Sequence, residues 1–175
     1  MRIGVALVIA LAACGGPDAP RNRAGIALVP AAGGAEYERF LDGTTDAADW
    51  SAGLTVGIVW GGVEELIDPP PADSPIVVAA NPFVRWHAWR PTSWLAVGAD
   101  TKFSLVWVVP RGGEQPTRLV PALEAHLQSS AEHGWGYVLL GVGVKQFLTR
   151  TDAAGGVFPR STTHIGSEFS AGLRF

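Results

Sequence analysis

The side chains able to do chemistry in this sequence are thinly spread. Histidines stand at 87, 126, 133 and 164, with no i, i+4 pair and no cysteine nearby, so no metal-ligand spacing is present. Nucleophilic hydrolysis needs a base, a nucleophile and a group that orients the base. The available sets are His126 or His164 as base, Ser129 or Ser167 as nucleophile, and Glu124 or Glu168 as orienter. In a strand, however, His164 and Ser167 point to opposite faces. Gly141-Val-Gly143-Val-Lys145 lacks the Gly-Lys-Ser/Thr ending and the following helix of a phosphate loop. Cys14 is the single cysteine of 175 residues, which excludes an intrachain disulfide framework and any multi-cysteine metal site. No cofactor motif is found. What remains is a set of ionisable groups of both signs: Arg85, His87, Asp100, Lys102, Arg118, Glu124, His126, Lys145, His164, Glu168 and Arg174.

These groups share a context, because each falls on the less apolar face of a segment with period-2 alternation. The clearest segment is Trp50–Trp60. One face carries Trp50, Ala52, Leu54, Val56, Ile58 and Trp60; the other carries Ser51, Gly53, Thr55, Gly57 and Val59. A small, nearly chargeless second face suits the cramped interior of a narrow barrel better than it suits water. The two tryptophans lie ten residues apart on one face. At about 3.3 Å per residue and a tilt near 40°, that is roughly 25 Å, the height of the apolar band on a membrane barrel.

Four more segments read the same way. In Ile76–Trp89, apolar Ile76, Val78, Ala80, Val84, Trp86 and Ala88 oppose Asn81, Arg85 and His87. In Trp94–Val109, Leu95, Val97, Ala99, Phe103, Leu105, Trp107 and Val109 oppose Gly98, Asp100, Lys102 and Ser104. In Trp135–Leu148, Val138, Leu140, Val142 and Val144 oppose Gly141, Gly143 and Lys145. Arg118–Gln128 alternates too, but Leu119, Leu123 and Leu127 also form a helical stripe; Pro121 favours the strand. Short turns are expected at Arg90–Ser93 and Ser129–Gly134. Long loops fall at Gly61–Pro75 and Thr149–Ser161, on the opposite side from the turns and from Phe175, with a short one at Pro110–Gln115 on that same side.

The last segment, His164–Phe175, alternates Ile165, Ser167, Phe169, Ala171, Leu173 and Phe175 with His164, Gly166, Glu168, Ser170, Gly172 and Arg174. An amphipathic terminal strand ending in Phe resembles the C-terminal signature of small bacterial outer-membrane β-barrel proteins, which the barrel assembly machinery reads. The resemblance implies an all-β, antiparallel, up-and-down transmembrane barrel of eight strands. It also implies an outer-membrane location, with the lipids of that membrane as neighbours. Six strands are read clearly; the remaining two are expected from Gly25–Pro30 and Glu36–Leu41, flanking Ala31–Ala35. Trp50, Trp60, Trp89, Trp94, Trp107, Trp135 and Phe175 then form aromatic girdles at the membrane edges.

At the other terminus, Met1-Arg2 and apolar Ile3–Ala10 precede Leu11-Ala-Ala-Cys14, which resembles the lipobox of bacterial lipoproteins. The division that follows is a signal peptide over 1–13, a tether over 14–24 beginning at Cys14, and a barrel over 25–175; the resemblance implies a lipid on Cys14, while an ordinary secretory signal with a chance cysteine stays open. The apolar run is too short for a membrane helix, which needs about 20 residues. Net charge is −3 and no basic stripe occurs, so a nucleic-acid partner is not expected.

An eight-stranded barrel is filled by its own side chains, so mixed inward charges are expected to form an ion-paired plug, giving a structural or surface-interaction role. Two other readings stay open. One is a lipid-modifying hydrolase that resembles, in architecture only, the outer-membrane lipid A deacylases. The other is a soluble, lipid-anchored, lipocalin-like barrel, which would turn Leu54, Val56 and Ile58 inward.

Overall fold

The computed structural model describes residues 21–29, 32–43, 45, 49–59, 67–68, 75–109, 117–152, 157–158 and 162–175. Residues 1–13, Cys14 and Trp60 lie outside them, as does Pro110–Gln115. Eleven strands occur and no helix among the described residues: β1 (Asn22–Val29), β2 (Ala32–Phe40), β3 (Trp50–Val59), β4 (Ile67–Asp68), β5 (Ile76–Thr92), β6 (Leu95–Val109), β7 (Arg118–His133), β8 (Gly136–Phe147), β9 (Arg150–Asp152), β10 (Val157–Phe158) and β11 (Thr162–Arg174).

Eight of these form a closed antiparallel up-and-down barrel in the order β1-β11-β8-β7-β6-β5-β3-β2. Closure is made by β1 against β11, from Arg23↔Arg174 to Leu28↔Phe169. Beyond the last register pair, the Phe175 carbonyl accepts from the Arg21 and Asn22 amides at 3.1 and 3.0 Å. No barrel strand therefore keeps a free edge, which removes the usual template for aggregation.

Both N-terminal strands are longer than the sequence reading has them. β1 starts at Asn22, so the last residues of the expected tether are sheet, and β2 starts at Ala32 rather than Glu36. The ambiguous Arg118–Gln128 segment is a strand, with Pro121 on its outer face. Two turns are tighter than expected, because β5 runs through Thr92 and β7 through His133. Only Ser93-Trp94 and Gly134-Trp135 remain as connections. Gly134 has φ +56°, a backbone position that a two-residue hairpin demands and that glycine occupies without a Cβ penalty.

The connections give the barrel two unlike ends. The terminal end holds the start of β1, Phe175, the two tight turns and residues 41–43, 45 and 49. The loop end holds the long connections β3–β5 and β8–β11, which are tied together. β4 pairs in parallel with β9 (Ile67↔Thr151, Asp68↔Asp152), and β10 pairs antiparallel with β9, making a three-stranded sheet from two separate loops.

The faces are sorted by burial. Leu54, Val56, Ile58, Leu140 and Val142 are exposed on the outer wall, whereas Arg85, Asp100 and Lys102 are buried. The interior also contains an apolar layer that the sequence reading lacks. Val77, Ala79, Val106, Val108, Val120, Ala122 and Phe147 pack together inside the loop end, against partly buried Val59. Both faces of those strand ends are apolar, so alternation alone cannot tell one from the other.

Candidate functional site

Apart from this apolar layer, the barrel interior is an ionic network. The inward cations are Arg23, Arg85, Lys102, Arg118, Lys145 and Arg174; the inward carboxylates are Glu36, Glu38, Asp100, Glu124, Glu132 and Glu168. Among the described residues the numbers are equal, six of each, which is the condition for charges to sit out of water without a large net field. The sequence reading names five of these cations and three of the carboxylates. Arg23, Glu36, Glu38 and Glu132 complete the balance.

Arg85 is the centre. Its guanidinium is wholly buried and reaches Glu38 at 2.6 Å, Asp100 at 3.3 Å and Glu36 at 3.9 Å, with its face over Phe83 at 4.6 Å. Glu38 also accepts from Ser51 at 2.5 Å and lies 3.6 Å from His87, whose ring stacks on Phe40. Glu36 accepts from Thr55 at 3.3 Å and Ser170 at 3.1 Å. Towards the loop end, Lys102 pairs with Glu168 at 2.5 Å, and Lys145 pairs with Glu124, also held by Ser104, at 2.6 Å. Arg118 lies buried beside the apolar layer, and His164 meets Phe147 edge-on at 5.5 Å.

At the terminal end the network carries the closing seam. Arg23 and Arg174 stand opposite each other across β1 and β11, a like-charge pair that would push the seam apart. Glu132, from β7, ion-pairs with Arg23 through one oxygen and with Arg174 through the other at 3.2 Å. Glu132→Gln is therefore expected to lower stability by about 2 kcal/mol, since it weakens the charge-assisted hydrogen bond to Arg23 and removes the ion pair to Arg174. Urea titration of the folded barrel would measure it.

The hydrolytic sets come apart in three dimensions. His126 and His164 face inward, while Ser129 and Ser167 lie on the outward-facing positions of β7 and β11. The fold instead brings together residues that sequence spacing cannot connect. Asp100 on β6, His126 on β7 and Glu168 on β11 each offer one donor atom within 4.8 Å of the others. His126 Nδ1 lies 2.8 Å from Asp100 Oδ1 and 3.8 Å from Glu168 Oε2. Gly143 stands opposite His126 on β8, and a Cβ there would strike the imidazole ring. A cavity of about 50 Å³ adjoins the cluster, lined by Thr55, Asn81, Lys102, Glu124, Lys145 and Glu168 among others. That is room for a few waters and no organic ligand.

On the outer wall, Trp50, Trp86, Trp89, Trp94 and Trp135 are exposed, and Trp50 stacks on Trp86 at 6.2 Å. All five belong to the terminal end, with Phe175. Trp107, half-buried, is nearer the loop end. Among the described tryptophans five therefore gather at the terminal edge and Trp107 stands towards the other, while Trp60 lies outside the described residues; Trp86, absent from the expected girdle, joins the terminal group by its stacking on Trp50.

Comparison with protein-family models, with curated proteins and with solved structures finds no match for this chain. The fold and interior define its class: an eight-stranded antiparallel barrel with an apolar outer wall and an ion-paired interior.

Proposed function

We propose that the protein is a bacterial outer-membrane barrel with a lumen closed by its own side chains, and that its role is structural or one of surface interaction. One observation carries this reading. Outside the terminal rim, where Arg21, Arg39, Arg90 and His133 lie, no Asp, Glu, Lys, Arg or His of a described barrel-strand residue faces outward. A wall of Leu, Val, Ile, Phe and Ala with all its ions turned inward is suited to hydrocarbon and unsuited to water. On β6 the apolar wall runs from Leu95 to Val109, about 35 Å along the axis at 3.3 Å per residue and a tilt near 40°. That spans a band of roughly 25 Å with its flanks.

Orientation follows from the asymmetry of the ends. Long loops face the exterior of the cell and short turns the periplasm, as in membrane barrels generally. The tryptophan-rich terminal end sits at the inner interface, where indole rings anchor. A lipid on Cys14 would enter the same leaflet, and the final strand ending in Phe175 would be the element handed to the barrel assembly machinery. The tied loops around β4, β9 and β10 are the surface offered to partners. The lipocalin-like alternative has the opposite polarity, a greasy interior and a wet exterior.

The test is physical. In detergent the folded chain should migrate faster on an unheated gel than after boiling, and protease added to intact cells should cut within Gly61–Pro75 or Thr149–Ser161. A chain that folds as a monomer in plain buffer, or is cut only near Ser93-Trp94, would sink the proposal.

A further inference from the structure

We infer that Asp100, His126 and Glu168 form a site for one divalent transition-metal ion of the zinc type, inside the barrel. The inference depends on the interior geometry and not on where the barrel resides.

The three residues come from three strands, and each has one donor directed at the shared centre; the other oxygens of Asp100 and Glu168 are already held by cations. Asp100 offers Oδ1, and its Oδ2 is held by Arg85 at 3.3 Å. Glu168 offers Oε2, and its Oε1 is held by Lys102 at 2.5 Å. His126 offers Nδ1, and its Nε2 faces Glu124 at 3.7 Å. Ligand carboxylates fixed by outer charged partners are the usual construction of a metal site, and Glu124 is the carboxylate placed to accept from His126 Nε2–H when the ring is metal-bound. Donor separations of 2.8 Å, spanned here by a His126–Asp100 hydrogen bond whose proton a metal would displace, and 3.8 Å bracket the roughly 3.4 Å edge of a tetrahedron with bonds near 2.1 Å.

A second, independent observation points to a bound cation. The Glu168 oxygen that faces the centre is buried and accepts no hydrogen bond, although its residue is only 3% exposed. Gln128, the next inward residue of β7 after His126, is 6% exposed, and its buried Oε1 also lacks a partner. The Cβ atoms of Gln128 and Glu168 both flank Gly141, so the two side chains rise from the same patch of wall. The orphaned Glu168 acceptor beside the imidazole leaves a demand that a cation satisfies. One imidazole with carboxylates selects a borderline ion over calcium or magnesium, which favour oxygen alone. Lys102 and Arg85 oppose the ion's charge, so affinity is limited by their presence.

The adjoining cavity is lined by Lys102, Glu124, Lys145 and Glu168, of which Lys145 is a quarter exposed. Zinc titrated calorimetrically into the folded full-length chain should bind one per chain. Lys102→Met, which removes a competing cation, should tighten binding about tenfold. Glu124→Gln should weaken it by about tenfold, and His126→Gln or Glu168→Gln should abolish it. Fold is checked in each case by unheated gel mobility. Cobalt(II) in the unaltered chain should give the intense visible band of four-coordinate N/O ligation, a readout that needs no variant. No uptake by either the native chain or Lys102→Met means that water alone fills the site and overturns the inference. Binding that survives His126→Gln, or a weak six-coordinate cobalt spectrum, overturns it equally.

Discussion

Arginine at Val142 should destabilise the folded barrel in a bilayer by about 2–4 kcal/mol, the cost of a charged side chain on the lipid face near the midplane. Val142 is exposed on the outer wall in the middle of β8, between Ser167 of β11 and Leu127 of β7. Neither offers it a counter-ion, and Leu127 is itself 70% exposed. Val56→Arg on β3 should behave alike. The effect has to depend on depth, because Ala131→Arg, at the terminal rim, should cost only about 0–1 kcal/mol. Denaturant titration of refolding into vesicles, followed by gel mobility, measures all three. Equal costs at Val142 and Ala131 would mean that no hydrocarbon band surrounds the wall. The lipid-face reading would then fail.

What could be read beforehand and what could not divides along one physical line. Alternation reports which side chains share a face, and a face of Leu54, Val56 and Ile58 against Gly53, Thr55 and Gly57 leaves only one arrangement that suits a narrow barrel. The barrel and the direction of its faces follow from that contrast. Where the contrast vanishes, so does the reading. In Val106-Trp-Val-Val109 both faces are apolar, and the inward pair Val106 and Val108 is invisible as core. Arg23 is hidden for a different cause. It lies next to a Gly- and Pro-rich stretch that looks like a linker, although Arg23, Gly25 and Ala27 already alternate with Ala24, Ile26 and Leu28. Glu36 and Glu38 carry the same signal, two carboxylates at i, i+2 around outward Tyr37. Their meaning depends on Arg85, which is brought to them only through β3. The Asp100–His126–Glu168 cluster is of the third kind. It depends on the registers Asp100↔His126 and Glu168↔Gly141, which no local pattern encodes.

Replacement of Arg85 is the strongest test of the interior. Arg85→Met keeps much of the side-chain volume against Phe83 but leaves Glu36, Glu38 and Asp100 gathered around an apolar thioether. Removing one partner of a buried ionic group costs about 3–5 kcal/mol, because the surviving charge stays out of water. Glu38→Gln should cost less, since Ser51 and His87 can still bond the amide that replaces the carboxylate. The informative variant combines the two. Arg85→Met with Glu38→Gln deletes one charge of each sign and restores the balance, so its cost should fall well below the sum of the single changes, as expected for residues in one network. Urea titrations of the four proteins give the coupling directly. In an open, water-filled channel the same arginine would be screened, and its loss would cost about 0–1 kcal/mol, as for exposed pairs. A near-additive cycle with small single effects, accompanied by ion conductance across a planar bilayer, would therefore convert the plug into a pore. A large, strongly coupled cycle with no conductance keeps the lumen closed, and with it the assignment of function to the outer wall and the tied loops.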